Sequence, residues 1–182
     1  MSKPGHLTPQ HWIDAGFQAL RTHGATALRA EVLARDLKTT KGSFYWHFAD
    51  VPAFHVAMIA QWEASGLAAP DQPTNISPAT ALREFAQMLA DSAHHPAPYA
   101  NCEPAIRAWA QSDKGVALAL ARVDAARLNH LGGLLRALTI TNPDFAWIIY
   151  GACIGLSDQA QRGGAPGDQS IGTLVDLVLA LR

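Results

Sequence analysis

The stretch "TTKGSFYWHFAD", residues 39–50, places four aromatic rings and a histidine in five consecutive positions directly after a short polar run. Phe44 and Phe48 are four residues apart, so they share one face of a helix. A helix this short cannot bury itself, and these two rings are predicted to anchor it on a small core. The side chains predicted to receive them are Phe17, Leu20, Leu33 and Leu37. The small polar residues then face outward, which predicts a helix-turn-helix whose second helix enters the major groove of DNA.

Along the rest of the chain, apolar residues recur at intervals of three and four, which predicts an all-α protein of about nine helices. Thr8 followed by Pro9 predicts the start of the first helix, and Gly24 its end. Residues 66–78 contain three prolines and no periodicity, so they are predicted to connect two domains. The predicted helices cover about residues 9–23, 28–37, 40–46, 50–65, 78–93, 103–110, 116–138, 143–161 and 171–181.

The length and the charge distribution predict two domains with different partners. A chain of 182 residues is long enough for a small domain joined to a larger one, here predicted as residues 1–50 and 51–182. The net charge is −1, but residues 1–50 hold six Lys and Arg against four acids, a balance of +2, which leaves −3 for the remainder. The sign of this asymmetry favours an N-terminal domain that meets phosphates.

Several classes of protein are not expected. No apolar run approaches the roughly 20 residues of a membrane span, and no signal-peptide pattern is present, so a cytoplasmic protein is expected. Cys102 and Cys153 are too few for a disulfide framework and are expected to be reduced. The histidines and cysteines lack metal-ligand spacing. No phosphate loop, nucleophile elbow or pair of catalytic acids is present, so neither an enzyme nor a cofactor is expected.

The segment "LARDLKTTKGSFYWHFAD", residues 33–50, resembles the tetracycline-repressor (TetR-type) family of bacterial transcriptional regulators. The motif covers about the first 60 residues, and residues 106–138 also resemble one branch of that family. The resemblance implies a three-helix helix-turn-helix domain that binds DNA, followed by a larger helical domain that binds a ligand and dimerises. It further implies a homodimeric repressor that a small molecule releases from a palindromic, double-stranded operator.

The resemblance also assigns roles to individual residues. It places Thr40 at the helix N-cap, and Lys41 and Gly42 at base edges. Ser43, Tyr45 and His47 are placed on phosphates. For Tyr45, Trp46 and His47, packing or capping within the protein is the alternative. The full set of residues predicted to bind DNA is Arg29, Thr39, Thr40, Lys41, Gly42, Ser43, Tyr45, Trp46 and His47.

Three positions depart from the family pattern. Lys38 stands where the family usually has a turn glycine, Glu31 where an arginine or neutral residue is common, and Val51 where a lysine often begins the fourth helix. Each departure strains a turn or removes a phosphate contact, so weaker or more salt-sensitive binding is expected, with Arg29 and Lys38 as compensating cations. The alternative function is a helical small-molecule-binding or interaction protein whose DNA binding is weakened.

An effector pocket is expected inside the larger domain, lined by apolar and aromatic side chains with a few polar groups. Arg127 falls on the apolar stripe of a long predicted helix. It is predicted to meet either an acidic ligand or a structural partner, which could be Asp124 or an acid on another helix. The candidate ligand-binding residues are Trp62, Phe85, Met88, Trp109, Arg127 and His130, and ordinary core packing is the alternative for each.

The last two predicted helices are expected to form a dimer interface. The stretch "FAWIIYGACIGL", residues 145–156, is apolar nearly all round and must be covered on more than one side. Gly151 and Gly155 share a face that would let another helix approach closely. Two helices from each subunit would make a four-helix interface, and completion of a monomer core is the alternative. The predicted interface residues are Trp147, Gly151, Gly155, Ile171, Leu174, Val178 and Leu181.

Overall fold

The computed structural model describes residues 7–68, 76–91, 99–163 and 168–180. These ranges contain nine α-helices and no strand, so the predicted all-α fold is confirmed. The helices are α1 Pro9–His23, α2 Ala30–Asp36, α3 Lys41–Tyr45, α4 Val51–Leu67, α5 Pro78–Ala90, α6 Glu103–Ala110, α7 Lys114–Ala137, α8 Asp144–Gln161 and α9 Asp168–Ala180. The second helix begins two residues later than predicted, because Ala25–Ala27 forms a 3₁₀ turn before it.

The chain divides into two compact units. Unit one comprises Met1–Ser65 and Ala105–Leu120, and unit two comprises Gly66–Pro104 and Ala121–Arg182. Unit one therefore holds the helix-turn-helix segment together with most of α4, most of α6 and the start of α7. Unit two holds α5, α8, α9 and the larger part of α7.

In unit one, α1 is fixed at both ends and along one face. The backbone N–H of Thr8 donates to Nδ1 of His11 at 3.0 Å, and Pro9 occupies the first helical turn. Gly24 ends the helix with φ +77°, a conformation that glycine adopts without a steric penalty. A Cβ added to Gly16 would lie 2.6 Å from atoms of Met58 and Phe54, so α1 and α4 approach closely there.

The turn between α2 and α3 is tight and strained at one residue. Lys38 has φ +53°, in the left-handed region that favours glycine, which explains why a glycine suits this position. The N–H of Lys38 donates to the carbonyl of Arg35 at 3.1 Å, and the N–H of Thr39 donates to that of Ala34 at 2.8 Å. Two backbone hydrogen bonds therefore hold a non-glycine residue in a conformation that costs about 1–3 kcal/mol.

The prediction that Phe44 and Phe48 anchor α3 to the core is confirmed, but the rings that they contact are partly different from those predicted. Phe44 is 0% exposed and Phe48 is buried. The ring of Phe44 lies 5.3 Å from the rings of Trp12 and Phe54, and the ring of Phe48 lies 5.0 Å from that of Phe54. Trp12, which the sequence pattern did not single out, is thus a direct partner of the anchor. Of the predicted partners, Phe17, Leu20 and Leu33 are buried in the same unit, while Leu37 is half-buried.

Unit two is built around a mainly aliphatic core. The buried side chains come from α5, α8 and α9 and from the later turns of α7. Ser77 caps α5 by accepting from the N–H of Thr80 at 3.1 Å. An ion pair between Arg83 and Asp176 joins α5 to α9 at the surface. The fully buried members of the core include Leu82, Ala86, Leu131, Ile149, Ile171 and Val175.

Candidate DNA-binding site

The outward face of α3 carries polar and aromatic side chains that the core does not use. Lys41, Gly42 and Tyr45 are exposed, and Trp46, directly after the helix, is 88% exposed. A tryptophan this exposed contributes little to the core, which argues against the packing alternative for Trp46. The inward face of the same helix carries Phe44. The helix is therefore anchored to the core on one face and exposes polar and aromatic side chains on the other.

The local backbone fixes where these side chains stand. The Thr40 hydroxyl oxygen accepts from the N–H of Ser43 at 3.4 Å, which makes Thr40 the N-cap of α3 as predicted. The N–H groups of His47 and Phe48 both donate to the carbonyl of Phe44 at 3.0 Å. All nine residues predicted to bind DNA lie between positions 29 and 47: Arg29 immediately before α2, and the other eight in the turn before α3, on α3 and directly after it. Thr39, Ser43 and His47 are half-buried, and the others are exposed.

The charged groups of this surface are partly paired with one another. Nζ of Lys41, at the first position of α3, donates to Oε1 of Glu31 in the first turn of α2. This hydrogen bond lowers the pKa of Glu31 and raises the pKa of Lys41 relative to their ordinary values. Arg29 and Lys38 add two further exposed cations. The surface is therefore cationic on balance, with one carboxylate bound to its central lysine.

The candidate ligand-binding residues fall into both units. Trp62 and Trp109 are buried in unit one, where the Trp109 ring lies 5.0 Å from that of His55. Phe85 and His130 meet in unit two with ring centroids 4.4 Å apart. Burial lowers the pKa of His130, and its Nε2 is buried with no hydrogen-bond partner among the described residues. The other two candidates, Met88 and Arg127, also belong to unit two.

Arg127 is buried in a polar network of unit two. Its Nη1 donates to Oε2 of Glu103 at 2.6 Å and to the hydroxyl of Tyr150 at 3.3 Å. The Tyr150 hydroxyl in turn donates to Oδ1 of Asp124 at 2.7 Å. Burial acts to lower the pKa of Arg127, but Glu103 and Tyr150 outweigh it and the pKa is raised. Arg127 thus has the structural partner that the sequence left open, an acid on another helix.

Cys153 lies on α8, as Tyr150 does, and it is buried. Burial raises the pKa of the Cys153 thiol to about 12. Its Sγ donates to the carbonyl of Ala86 at 3.4 Å. Cys102 and Cys153 are both free and buried. A thiol with so high a pKa carries very little thiolate and is a structural rather than a reactive group.

Part of the predicted dimer surface is open. Trp147 is 64% exposed, and Ile148 and Leu177 are also exposed. A Cβ added to Gly151 or Gly155 would meet nothing within 4 Å. Within the described residues, one side of α8 is therefore apolar and uncovered.

The predicted interface residues on α9 do not lie on this exposed surface. Ile171 and Val178 are buried in the core of their own unit, and Leu174 packs against it. A partner chain cannot reach Ile171 or Val178 without opening that core, because the stripe on α9 faces inward. Leu181 lies outside the described residues.

Several residues of these sites were not found from the sequence. Glu103, the partner of Arg127, is 24 positions away along the chain, and Ile148 and Leu177 were not distinguished from their apolar neighbours. Trp12 sits next to Ile13 on a predicted amphipathic helix, and its size was the one available signal that it fills the core. Glu31 was noted as a departure from the family pattern, but its contact with Lys41 depends on how two helices cross.

Comparison with solved structures shows the same fold over nearly the whole chain. A TetR-like transcriptional regulator from Rhodococcus sp. RHA1 is similar with a TM-score of 0.74, 17% identity and 100% of both chains covered. Another transcriptional regulator from Rhodococcus sp. RHA1 is similar with a TM-score of 0.73 and 15% identity, over 96% of this chain and 95% of the other. The chain therefore has the TetR-like fold, as its motif predicted.

Searches by sequence add no relative. No family model matches the chain, and no curated protein matches it significantly. Within the part of the chain that the structure describes, no helix is long and apolar enough to cross a membrane. The same residues contain no group of three or more metal-ligating side chains that could hold an ion.

Proposed function

We propose that the protein is a ligand-responsive transcriptional regulator that binds operator DNA through α2, the turn and α3. The observation that carries the proposal is the two-sided arrangement of α3. Phe44 fastens the helix to the core, while Lys41, Tyr45 and Trp46 stand exposed on the other side. A major groove admits one helix, and lysine, tyrosine and small polar side chains supply its base and phosphate contacts.

The charges support the proposal. Protein–DNA affinity comes largely from cations that replace counterions on phosphates, which a surface bearing Arg29, Lys38 and Lys41 can provide. Tyr45, which is 45% exposed, carries a hydroxyl that can donate to a phosphate.

A twofold dimer completes the proposal. Two recognition helices ~34–36 Å apart read successive major grooves on one face of DNA and double the number of phosphate contacts. The exposed side of α8, formed by Trp147, Ile148, Gly151 and Gly155, is the surface proposed to pair with a second copy. Gly151 and Gly155 stand in open space and so permit close approach of a second helix.

The proposed effector site is the region of unit two around Phe85 and His130. An aromatic ring packed against a histidine whose Nε2 has no partner in the described residues offers an apolar wall with one polar group. Binding of a small molecule there is proposed to release the operator, which would make the protein a repressor. Arg127 is proposed to act as a structural residue of this unit, because its guanidinium already donates hydrogen bonds to Glu103 and Tyr150.

The proposal is tested by selecting duplex DNA from a random pool with the full-length protein and titrating binding against salt. Lys41→Ala should weaken binding to the selected site by about 1–3 kcal/mol and relax the preference at one base pair in each half-site. Tyr45→Phe should weaken all sequences about equally. Arg136→Ala, which removes an exposed cation from unit two, is the matched control and should change little.

The same experiment distinguishes a second candidate function. The Glu31 carboxylate forms an ion pair with Lys41. This pairing makes the lysine less available to DNA, which favours a helical small-molecule-binding or interaction protein with weakened DNA binding. If the full-length protein selects no sequence even at low salt, the regulator is rejected and this second function stands. If Lys41→Ala binds as well as the parent, the assignment of α3 as the recognition helix is rejected.

A further inference from the structure

The ion pair between Glu31 and Lys41 joins the two helices of the helix-turn-helix on its exposed side. The two side chains are 61% and 50% exposed, so solvent or a docked molecule can reach both. Nζ of Lys41 also lies 5.8 Å from the centroid of the Tyr45 ring, which restricts where the ammonium can move. The hydrogen bond keeps the pKa of Glu31 lowered, so the carboxylate remains charged near neutral pH.

A carboxylate at this place restricts what the surface can bind. Phosphate oxygens repel it, and so do the acceptor atoms on base edges, namely guanine N7 and O6, adenine N7 and thymine O4. Burying the charge without a donor would also cost desolvation energy. The donors that the major groove offers are the amino groups of cytosine and adenine. Glu31 can therefore enter a groove favourably only where one of these groups faces it.

The pair as a whole matches one base pair better than the others. Across a G·C pair the groove presents N7 and O6 as acceptors and then N4 as a donor. Lys41 can donate to the two guanine acceptors while Glu31 accepts from cytosine N4. Across an A·T pair the amino donor lies next to adenine N7, which would repel the carboxylate, and a single thymine acceptor remains for the lysine.

The local structure leaves room for such a contact. Thr40 caps α3 and fixes the position of Lys41 at its first turn. Gly42 follows, exposed and without a side chain, and a Cβ added there would meet only the Thr40 hydroxyl, at 3.7 Å. A base edge can therefore approach the backbone beside the pair without a clash.

We propose that Glu31 and Lys41 act together as a specificity-determining pair that reads one G·C base pair in each operator half-site. Lys41 donates to guanine, and Glu31 accepts from the amino group of the paired cytosine. This inference rests on the proposed function, since it requires α2 and α3 to enter the major groove. It makes Glu31, a departure from the family pattern, part of the reading surface.

The test uses the full-length protein and the duplex that it selects from a random pool, with each of the four base pairs placed in turn at every half-site position. The parent should prefer G·C at one position. Glu31→Gln should reduce that preference about ten-fold, because its amide can also donate to the acceptors of other bases. Preferences at the other positions should stay within about two-fold. Asp36→Asn makes the same charge change on the same helix and should leave every preference unchanged.

A second variant tests which residue of the pair contacts which base. The exchange Glu31→Lys with Lys41→Glu keeps the net charge and the ion pair, and it should shift the preference towards C·G. If Glu31→Gln binds all sequences more tightly by one common factor with the G·C preference intact, Glu31 merely repels phosphates and the inference is overturned. An unchanged preference in the exchange variant also overturns it. If the parent selects no DNA, the proposed function fails and the inference fails with it.

Discussion

In unit one the rings of Trp12, Phe44, Phe48 and Phe54 meet at centroid distances of 5.0–5.3 Å, whereas the core of unit two consists mainly of leucine, isoleucine, valine and alanine from four helices. The difference follows from element length. The helices α2 and α3 have seven and five residues, so each has very few inward positions, and α3 fills its own with phenylalanine. The helices α5, α8 and α9 have 13, 18 and 13 residues and spread burial over many smaller side chains. Short elements thus concentrate stability in a few residues.

The two units also differ in how exposed their ion pairs are. In unit one the pair Glu31 and Lys41 is exposed, while in unit two the pair Glu103 and Arg127 is buried, with side chains 15% and 8% exposed. An exposed pair contributes little to stability and is free to meet a partner molecule. A buried pair is costly to form and more costly to break. The first pair is therefore suited to recognition and the second to holding helices together.

The comparison predicts its largest effect for Phe44→Ala. Because the ring is fully buried among other rings, its removal should cost about 3–5 kcal/mol, enough to unfold unit one and abolish DNA binding. Helicity, chemical denaturation and DNA binding should all report the loss. Trp46→Ala, which removes an exposed ring two residues away, should leave the free energy of unfolding unchanged. A stable Phe44→Ala protein that had lost only DNA affinity would show that the ring faces the groove.

The next largest effect is expected for Glu103→Gln in unit two. This change leaves the buried Arg127 guanidinium without its carboxylate and should cost about 3 kcal/mol in the free energy of unfolding. The double variant Glu103→Leu with Arg127→Met should be more stable than Glu103→Gln, because it leaves no buried guanidinium without its carboxylate. Asp158→Asn, which breaks the exposed pair with Arg162, should cost less than about 1 kcal/mol. Equal losses for Glu103→Gln and Asp158→Asn would show that burial does not separate the two pairs.

A smaller effect is expected at the exposed side of α8. Trp147→Glu places a charge in the proposed dimer surface and should raise the dissociation constant of the dimer about ten-fold or more. Sedimentation of the parent and the variant across micromolar concentrations measures this shift. Val56→Glu, at an exposed apolar position of unit one, is the control and should leave the dimer intact. A parent that sediments as a monomer throughout would contradict the proposed dimer.

The smallest effect concerns the pH dependence of unit two. Burial lowers the pKa of His130 below its ordinary value of 6.5, so the unfolded chain takes up this proton more readily than the folded one. The resulting contribution to stability is present above pH 6.5 and is lost as the pH falls through the folded pKa. His130→Phe should flatten the stability profile in that window, because the substituted side chain no longer titrates. Identical profiles for the parent and His130→Phe would contradict this role of burial.

Most of the fold could be predicted from local signals. Periodicity predicted the helices, and Thr8 with Pro9 predicted the start of the first one, because capping is a contact between residues about three positions apart. The motif in residues 33–50 predicted which side of α3 faces the core, since Phe44 and Phe48 share a face. The roles of the predicted DNA-binding and ligand-binding residues stay predictions.

What could not be predicted depends on contacts distant in sequence. Periodicity shows that the stripe of Ile171 and Val178 must be covered, but it does not show whether the same chain or a second copy covers it. The crossing of α1 and α4 at Gly16 and the contact of Glu31 with Lys41 also require the packing of two helices. A single sequence does not show these relationships, because each depends on which residues of two separate helices come into contact.

The shortness of α3 has a consequence for how the protein meets a partner. Five residues are fewer than the roughly 12–15 that an isolated helix needs in water, so α3 is helical only while Phe44 stays in its core. The amides of His47 and Phe48, which donate to the Phe44 carbonyl, should then exchange with deuterated solvent only when unit one opens as a whole. The surface that presents Lys41 and Trp46 cannot fray by itself. Any molecule that binds this surface therefore acts on the folding equilibrium of the entire unit and slows the exchange of its amides together.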